Sequence, residues 1–354
     1  MKTKRVAIYG GTDLDSSTSA FVAQLTVELL KETDAILVTG GFDFSENAPT
    51  DKSTDRTVAD AAKEHLGAKL NDRLETWLPE AAKDRLDEKV HRFQDKGRLV
   101  WIEGSARKRR LRVVNDVDAV ITIKGKIRTS LVLDVALTIG KPALPLPFTG
   151  GDSLEFWKEN KSYYKMRFGL TDGQIAEWEN FTLPADEQRR AAIIAEVAEA
   201  VKKVLRTSCL ILMPFREELK GWYEQLKTII MDEGFEAIRL DEVLYTGDVR
   251  TTVKRLLTEA DAIIVDVTKE SPNVFYELGY AHAYDREPLL VWRLPAAAPD
   301  PRPPFYLENQ RLVFVRNDEA LRSGVAEYFA RVRSGKGESE TIAAEKGPTN
   351  RGVI

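Results

Sequence analysis

The chain has 354 residues, 43% of them hydrophobic and 31% charged, with a net charge of −4. This leaves room for two ordinary domains of soluble, globular composition. The mildly acidic balance supplies no global attraction to nucleic acid, and no apolar run approaches the ~20 residues of a membrane-spanning helix.

The start, Met1-Lys-Thr-Lys-Arg5, leads into a strand instead of a signal peptide. The single cysteine, Cys209, permits no intrachain disulfide and reads as a small core residue. His65, His91 and His282 are too scattered for a zinc site. A cytoplasmic chain with no bound metal is expected.

Segments 5–9, 35–39, 98–102, 119–123 and 142–146 read as strands, and 19–31, 54–66, 105–115 and 128–139 as helices. Their alternation predicts a largely parallel sheet with helices on both faces. Between 150 and 183 the chain is aromatic-rich, with Phe156, Trp157, Tyr163, Tyr164, Phe168 and Trp178. These are expected on helices that pack on the first domain or on a second subunit. Segment 185–205 follows Pro184 and carries an Ala/Ile/Val stripe, as for a helix that joins two domains rigidly. Strands at 210–213, 236–239, 262–267, 289–294 and 312–315 then make a five-stranded, flavodoxin-like unit. Stretch 294–304 is proline-rich, a candidate lid or interface segment. From about 334 the chain is polar and rich in Gly, Glu and Lys, a composition expected to be disordered. The fold class is α/β, with two Rossmann-like parallel-sheet domains at 1–183 and 208–333, a connecting helix at 184–207 and a tail at 334–354.

Three strands of the first domain end in glycine: Gly10-Gly11-Thr12, Gly40-Gly41, and Gly125 before Arg128-Thr129-Ser130. Glycine lets backbone amides approach a phosphate closely, and Arg128 would add a bidentate ligand. The alternative is that these glycines only turn the chain, but three such loops on one sheet favour a nucleotide pocket. The run from Ala106 to Arg112 is the most basic stretch. It either meets phosphates or forms a solvated face, and its lack of interleaved aromatics argues against nucleic acid.

The densest signal lies between Glu259 and Ala283. Asp261 to Val267 is an Ile/Val-rich run with Asp266 at its carboxyl end, where ligands bind in open α/β sheets. Pro272 stops the strand and Asn273 can cap the following helix. Glu277 then sits near the positive end of that helix, which favours an ionised carboxylate. Such a pair suits chemistry at a sugar's anomeric carbon. One carboxylate attacks or stabilises an oxocarbenium ion, and the other handles protons or a ribose hydroxyl. The plainer reading makes Glu277 a dipole partner and Asp266 a loop cap. Phe215, Arg216, Asp241, Asn273 and Arg293 also fall at or just beyond strand ends, as a single crevice requires.

The pattern "ADAIIVDVT…PNVFYELGYAHA", with "CLILMPFREELKGWYEQLKTIIMDEGFEAIRLDE" before it, resembles the nucleoside 2-deoxyribosyltransferase-like and TIR-like superfamily over about 208–315. The resemblance implies that Glu277 is the key residue of N-glycosidic cleavage and that Asp266 and Asp241 assist it. It places Met213, Pro214 and Phe215 in a base- or ribose-binding loop. Phe215 and Arg216 stand where an aromatic hydroxyl is often found. "VAIYGGT", "AILVTGGF" and "DVDAVITIKGKIRTSLVLDVALTIGKPALPLPFTGG" are similar to the SLOG superfamily, of the kind associated with TIR and sirtuin-like effectors. Related phosphoribohydrolases carry Gly-Gly-x-Gly-Thr-x-x-Glu, whereas this chain has Gly125-Lys-Ile-Arg-Thr-Ser-Leu-Val-Leu-Asp134. The missing glutamate argues for a binding module, and the resemblance implies that it senses a nucleotide messenger, such as a cyclic ADP-ribose isomer, with that role carried over to Gly11, Gly41, Arg128 and Thr129.

Two classes of function follow. The first is a messenger-gated enzyme of bacterial antiphage defence, a homo-oligomer that hydrolyses NAD as substrate and needs no cofactor. There Phe215 would stack on the base, Asn273 would line the site, and Arg216 or Arg293 would hold phosphates. A nucleoside deoxyribosyltransferase or N-glycosidase is the alternative enzyme. The second class is a non-enzymatic nucleotide sensor or scaffold.

Overall fold

Continuous burial marks five of the eleven strands. The computed structural model describes residues 3–44, 51–83, 92–242, 249–269, 271–304, 307–308 and 310–334. In it the first unit carries β1 (Arg5–Gly10), β2 (Ile36–Thr39), β3 (Leu74–Pro79), β4 (Arg98–Ile102), β5 (Ala119–Ile123) and β6 (Ala143–Leu146). Strands β2, β3, β5 and β6 are buried at every position, as in parallel strands covered on both faces. The order is β4-β3-β2-β1-β5-β6 and every pairing is parallel. The sequence of strands reverses at β1, so the carboxyl ends of β1 and β5 flank the switch point.

Helices α1 (Ser16–Glu32), α2 (Thr54–Leu66), α3 (Leu70–Arg73), α4 (Ala106–Asp116), α5 (Arg128–Thr138), α6 (Gly151–Glu159), α7 (Lys161–Phe168), α8 (Asp172–Asn180) and α9 (Glu187–Leu205) complete this unit. Asp15, Ser53 and Ser105 cap α1, α2 and α4 through their side chains. The aromatic residues of 150–183 lie in the core of this unit. Trp157 stacks between Tyr164 and Trp178, with ring centres 4.4 and 5.5 Å away, and all three are fully buried.

Two expectations are corrected. The helix expected to connect the domains belongs to the first unit, which spans 3–205. Ile193, Ile194, Val197, Ala198 and Val201 of α9 join its hydrophobic core, so the Ala/Ile/Val stripe packs inward. Strand β3 has no counterpart among the expected strands, because Glu75 and Pro79 break the apolar run. Glu75 is only 1% exposed. Its carboxylate accepts from Arg5 Nε at 3.1 Å, from Trp77 Nε1 at 2.7 Å and from Arg98. A buried charge held by three donors is tolerated where an unpaired one is not.

The second unit, from 206 onward, contains β7 (Ser208–Leu212), α10 (Lys220–Asp232), β8 (Glu236–Arg239), α11 (Val249–Glu259), β9 (Ala262–Asp266), α12 (Pro272–Ala283), β10 (Leu289–Arg293), β11 (Leu312–Val315) and α13 (Asp318–Ser334). Its order, β11-β10-β9-β7-β8, is all parallel and flavodoxin-like, with the switch point between β7 and β9. Stretch 294–304 is tied to the end of β11: Leu294 N donates to Val315 O at 2.9 Å and Arg316 Nη2 to Ala298 O at 2.8 Å. Of the expected tail at 334–354, Ser334 ends α13 and residues 335–354 lie outside the described residues. Among the described residues no helix is long and apolar enough to cross a membrane.

Trp178→Ala removes the outer layer of the buried stack. We expect it to cost the first unit about 3–5 kcal/mol in denaturant unfolding. A loss below about 1 kcal/mol would show that the stack carries little stability.

Candidate functional site

In the second unit, several charged side chains gather at the carboxyl edge of the five-stranded sheet. Asp266 ends β9 and is 1% exposed. Its Oδ1 accepts the Thr268 amide at 2.9 Å, and its Oδ2 accepts Arg293 Nη2 at 3.1 Å. Arg293, at the end of the neighbouring β10, donates Nε to Thr268 Oγ1 at 3.3 Å and lies over the Trp222 ring at 4.7 Å. Asp266 is therefore a compensated charge that orients Arg293.

Asp241 sits just beyond β8. Arg239 grips it from two nitrogens, Nη2 to Oδ2 at 2.7 Å, and the same guanidinium lies 3.9 Å from the Tyr223 ring centre. Phe215 is 51% exposed beyond β7, with Arg239 5.8 Å from its ring centre, so it offers a free aromatic face. Arg216 reaches Glu218 at 3.8 Å. Asn273 is not the helix cap: Ser271 holds that position, Pro272 is the first helical residue, and Asn273 is exposed in the first turn. Proline fits there because its missing N–H would be unpaired anyway.

Glu277 lies in the second turn of α12, half-buried, with no hydrogen bond or ion pair to a described residue. Burial pushes its carboxyl up to about 7. The helix end was expected to favour the ionised form, but the loss of hydration acts the other way and no cation offsets it. No hydrogen bond or ion pair links Glu277, Asp266 and Asp241 to one another among the described residues.

In the first unit, the glycine loops do converge on the carboxyl ends of β1, β2 and β5. Their chemistry differs from the expectation. Gly11 N is committed to Ile123 O at 3.0 Å, and a Cβ on Gly10 would strike that same carbonyl. Close strand packing thus explains Gly10. Gly41 has φ +72° and Gly125 φ +92°, and a Cβ on Gly125 would run into the buried Thr129. At the start of α5, Ser130 N donates to Asp152 Oδ2 at 2.9 Å, so a carboxylate already occupies the expected phosphate position. Arg128 and Thr12 make no side-chain hydrogen bond or ion pair among the described residues, and Arg128 is exposed at the mouth of this crevice. Lys124 and Lys126 both reach Asp13, at 3.8 and 3.1 Å. Gly40 faces a different cluster, around Arg109 and Asp55.

The sequence reading missed Trp222, Thr268, Arg92, Asp55 and the inward turn of Arg109. Trp222 sits at core spacing on α10. Arg109 was one cation in a basic run. Its separation of four residues from the buried Val113 was the available signal, since that spacing puts both on one helix face.

No family model and no curated protein matches the chain. Solved structures offer distant likenesses. TM1055, a structural genomics target, is 19% identical with a TM-score of 0.37, over 57% of this chain and 99% of that one. The molybdenum cofactor carrier protein of Chlamydomonas reinhardtii is 16% identical with a TM-score of 0.37, over 58% and 99%. E. coli heptosyltransferase WaaC with ADP is 11% identical with a TM-score of 0.22, over 94% and 98%. Likeness at this level bears on neither ligand nor activity.

The raised Glu277 has a consequence for stability. Between its ordinary value of 4.5 and about 7 the folded chain binds the proton that the unfolded chain has lost. Stability from this group is complete below 4.5 and falls as pH rises through 7. Relative to Glu277→Gln, the wild type should lose on the order of 2 kcal/mol across that window. Parallel unfolding curves for the two proteins at pH 4.5 and 8 would refute the shift.

Proposed function

We propose that the chain is a nucleotide-messenger-gated effector whose second unit cleaves an N-glycosidic bond, with NAD as the substrate. The observation that carries this reading is Glu277: a half-buried, unpartnered carboxylate poised near neutrality at the carboxyl edge of a parallel sheet. Ionised, it stabilises the positive charge that builds on the ribose as the bond from C1′ to the nicotinamide nitrogen breaks. The bonding pair leaves with nicotinamide, which needs no added proton. Water then adds to C1′, and Glu277 takes the proton released, giving ADP-ribose.

The other side chains take supporting parts. Phe215 offers its exposed ring to a base. Arg293, fixed by Asp266, Thr268 and Trp222, points a preformed cation at a phosphate. Asp241, held by Arg239, serves as an acceptor for ribose hydroxyls and not as a free base. In the first unit, the crevice between β1 and β5 is assigned to the messenger, with Arg128 at its mouth. Messenger binding is proposed to act through association of subunits, and loss of NAD would halt an infected cell.

A non-enzymatic sensor is the second reading, favoured by the neutralisation of both Asp266 and Asp241 by arginines. The two readings part on whether any nucleotide is consumed.

With purified protein and a panel of cyclic nucleotides and cyclic ADP-ribose isomers, we expect messenger-dependent loss of NAD. Glu277→Gln should lower kcat/KM by about 10²–10⁴-fold without lowering the melting temperature. The rate should rise with pH through about 7, as Glu277 ionises. A folded Glu277→Gln protein with full activity would sink the assignment.

A further inference from the structure

The first unit contains a second charged cluster, beside β2 and β3, one strand away from the β1–β5 crevice. Arg109, on α4, is 1% exposed. Its Nη1 donates to Trp77 O at 3.4 Å, whereas Nε and Nη2 are buried with no partner among the described residues. Those two nitrogens share one edge of the planar fork, the edge that takes two oxygens of an oxyanion side by side.

Arg92 adds two more donors. Its Nε and Nη1 are buried with no partner among the described residues, and its guanidinium lies 4.3 Å from the Phe42 ring centre. Asp55 ties the two cations to one place: it lies with Arg109 Nη1 against Gly40 and accepts the amide of Phe42, whose ring Arg92 covers, and burial and then the charge of Arg109 push the Arg92 pKa down to about 10. The nearby carboxylate, Asp55, is buried and accepts the Phe42 amide at 3.0 Å. It forms no ion pair with either arginine among the described residues. Gly40 closes the wall: a Cβ there would lie 2.5 Å from Arg109 Nη1 and 2.8 Å from Asp55 Oδ2.

Buried arginine is ordinarily paired through its whole fork, because an unmet donor in a low-dielectric interior is costly. Here two adjacent cations face one carboxylate, and four donors remain. A planar carboxylate offers two oxygens. A tetrahedral phosphate offers three or four, and a second negative charge to match the second guanidinium.

We propose that Arg92 and Arg109 form an anion subsite that takes a phosphate group, either free or as the phosphate of an ester. The subsite stands on its own contacts, so failure of NAD hydrolysis would leave it untouched.

Calorimetric titration of the full chain with inorganic phosphate, pyrophosphate and AMP tests it. At least one probe should bind, and Arg92→Gln should weaken that binding by 10-fold or more while melting as the wild type does. Lys108→Gln removes one cation from the exposed face of the same helix and should leave the affinity within 2-fold. Arg109→Lys keeps the charge but loses the fork, and should also weaken binding. If it fails to fold, Arg92→Gln decides alone. Tighter binding of AMP than of inorganic phosphate would assign the subsite to an ester, and the reverse order to the free ion. The proposal falls if no probe binds the wild type at millimolar concentration, if Arg92→Gln binds as tightly as wild type, or if Lys108→Gln loses as much as Arg92→Gln.

Discussion

A charge brought to the edge of a covered parallel sheet loses much of its water and must find a partner or change its protonation. That constraint organises both units. Helices cover both faces of each sheet, so the strand interiors admit few polar groups, and the carboxyl edges collect the rest. The Asp266–Arg293 pair shows the constraint met. An acid almost wholly out of water is kept by one guanidinium and one backbone amide. The same guanidinium is fixed by Thr268 and the Trp222 face. Such a pair adds little net stability, because desolvation offsets most of the attraction. What it provides is position: Arg293 is held in one orientation before any ligand arrives.

The neighbouring groups become intelligible by contrast. Asp241 is as well compensated as Asp266, but by a residue two positions before it, so its pairing is local and partly in water. Glu277 has no such partner, and its carboxyl rises toward neutrality. Three acids expected to act together thus separate into two fixed acceptors and one proton-exchanging group. Pairs of acids whose environments push their pKa values apart are a recurring basis for dividing chemical roles.

Much of this architecture was legible in the sequence. Strands β4, β5, β8 and β11 fall at the expected residues, because short Ile/Val/Leu runs between turn-forming residues have few other uses in a soluble chain. Strand β3 was hidden, since its Glu75 reads as solvent-facing until Arg5, Trp77 and Arg98, far away in the chain, are seen to hold it. Helix α9 was recognised as a helix but not placed. A stripe shows that a helix packs, and does not show on what. The positions of Asp266, Glu277 and Phe215 at the sheet edge were readable from strand ends. Their protonation and pairing were not, because Arg293 and Arg239 reach them through tertiary structure. The glycine loops illustrate the same limit: Gly10 and Gly11 lie where expected, yet strand packing accounts for them.

Two of the departures from full pairing among the described residues concern whole charged groups, and these have physical content. A fold that satisfies Glu75 with three donors can satisfy its buried charges. Glu277 in one unit and the Arg92–Arg109 pair in the other are left without a counter-charge in contact. Both lie beside carboxyl ends of parallel strands, where the twisted sheet opens a crevice. Locally unfavourable groups that persist in an otherwise consistent structure are expected at functional positions. One is an acid that gives up its charge readily, and the other is a pair of cations that cannot. The first suits a group that must exchange a proton during a reaction. The second suits a group that must hold an anion without reacting. In the function proposed above, the chain divides into a reacting unit and a recognising unit, and that division rests on how each of these charges meets the loss of water.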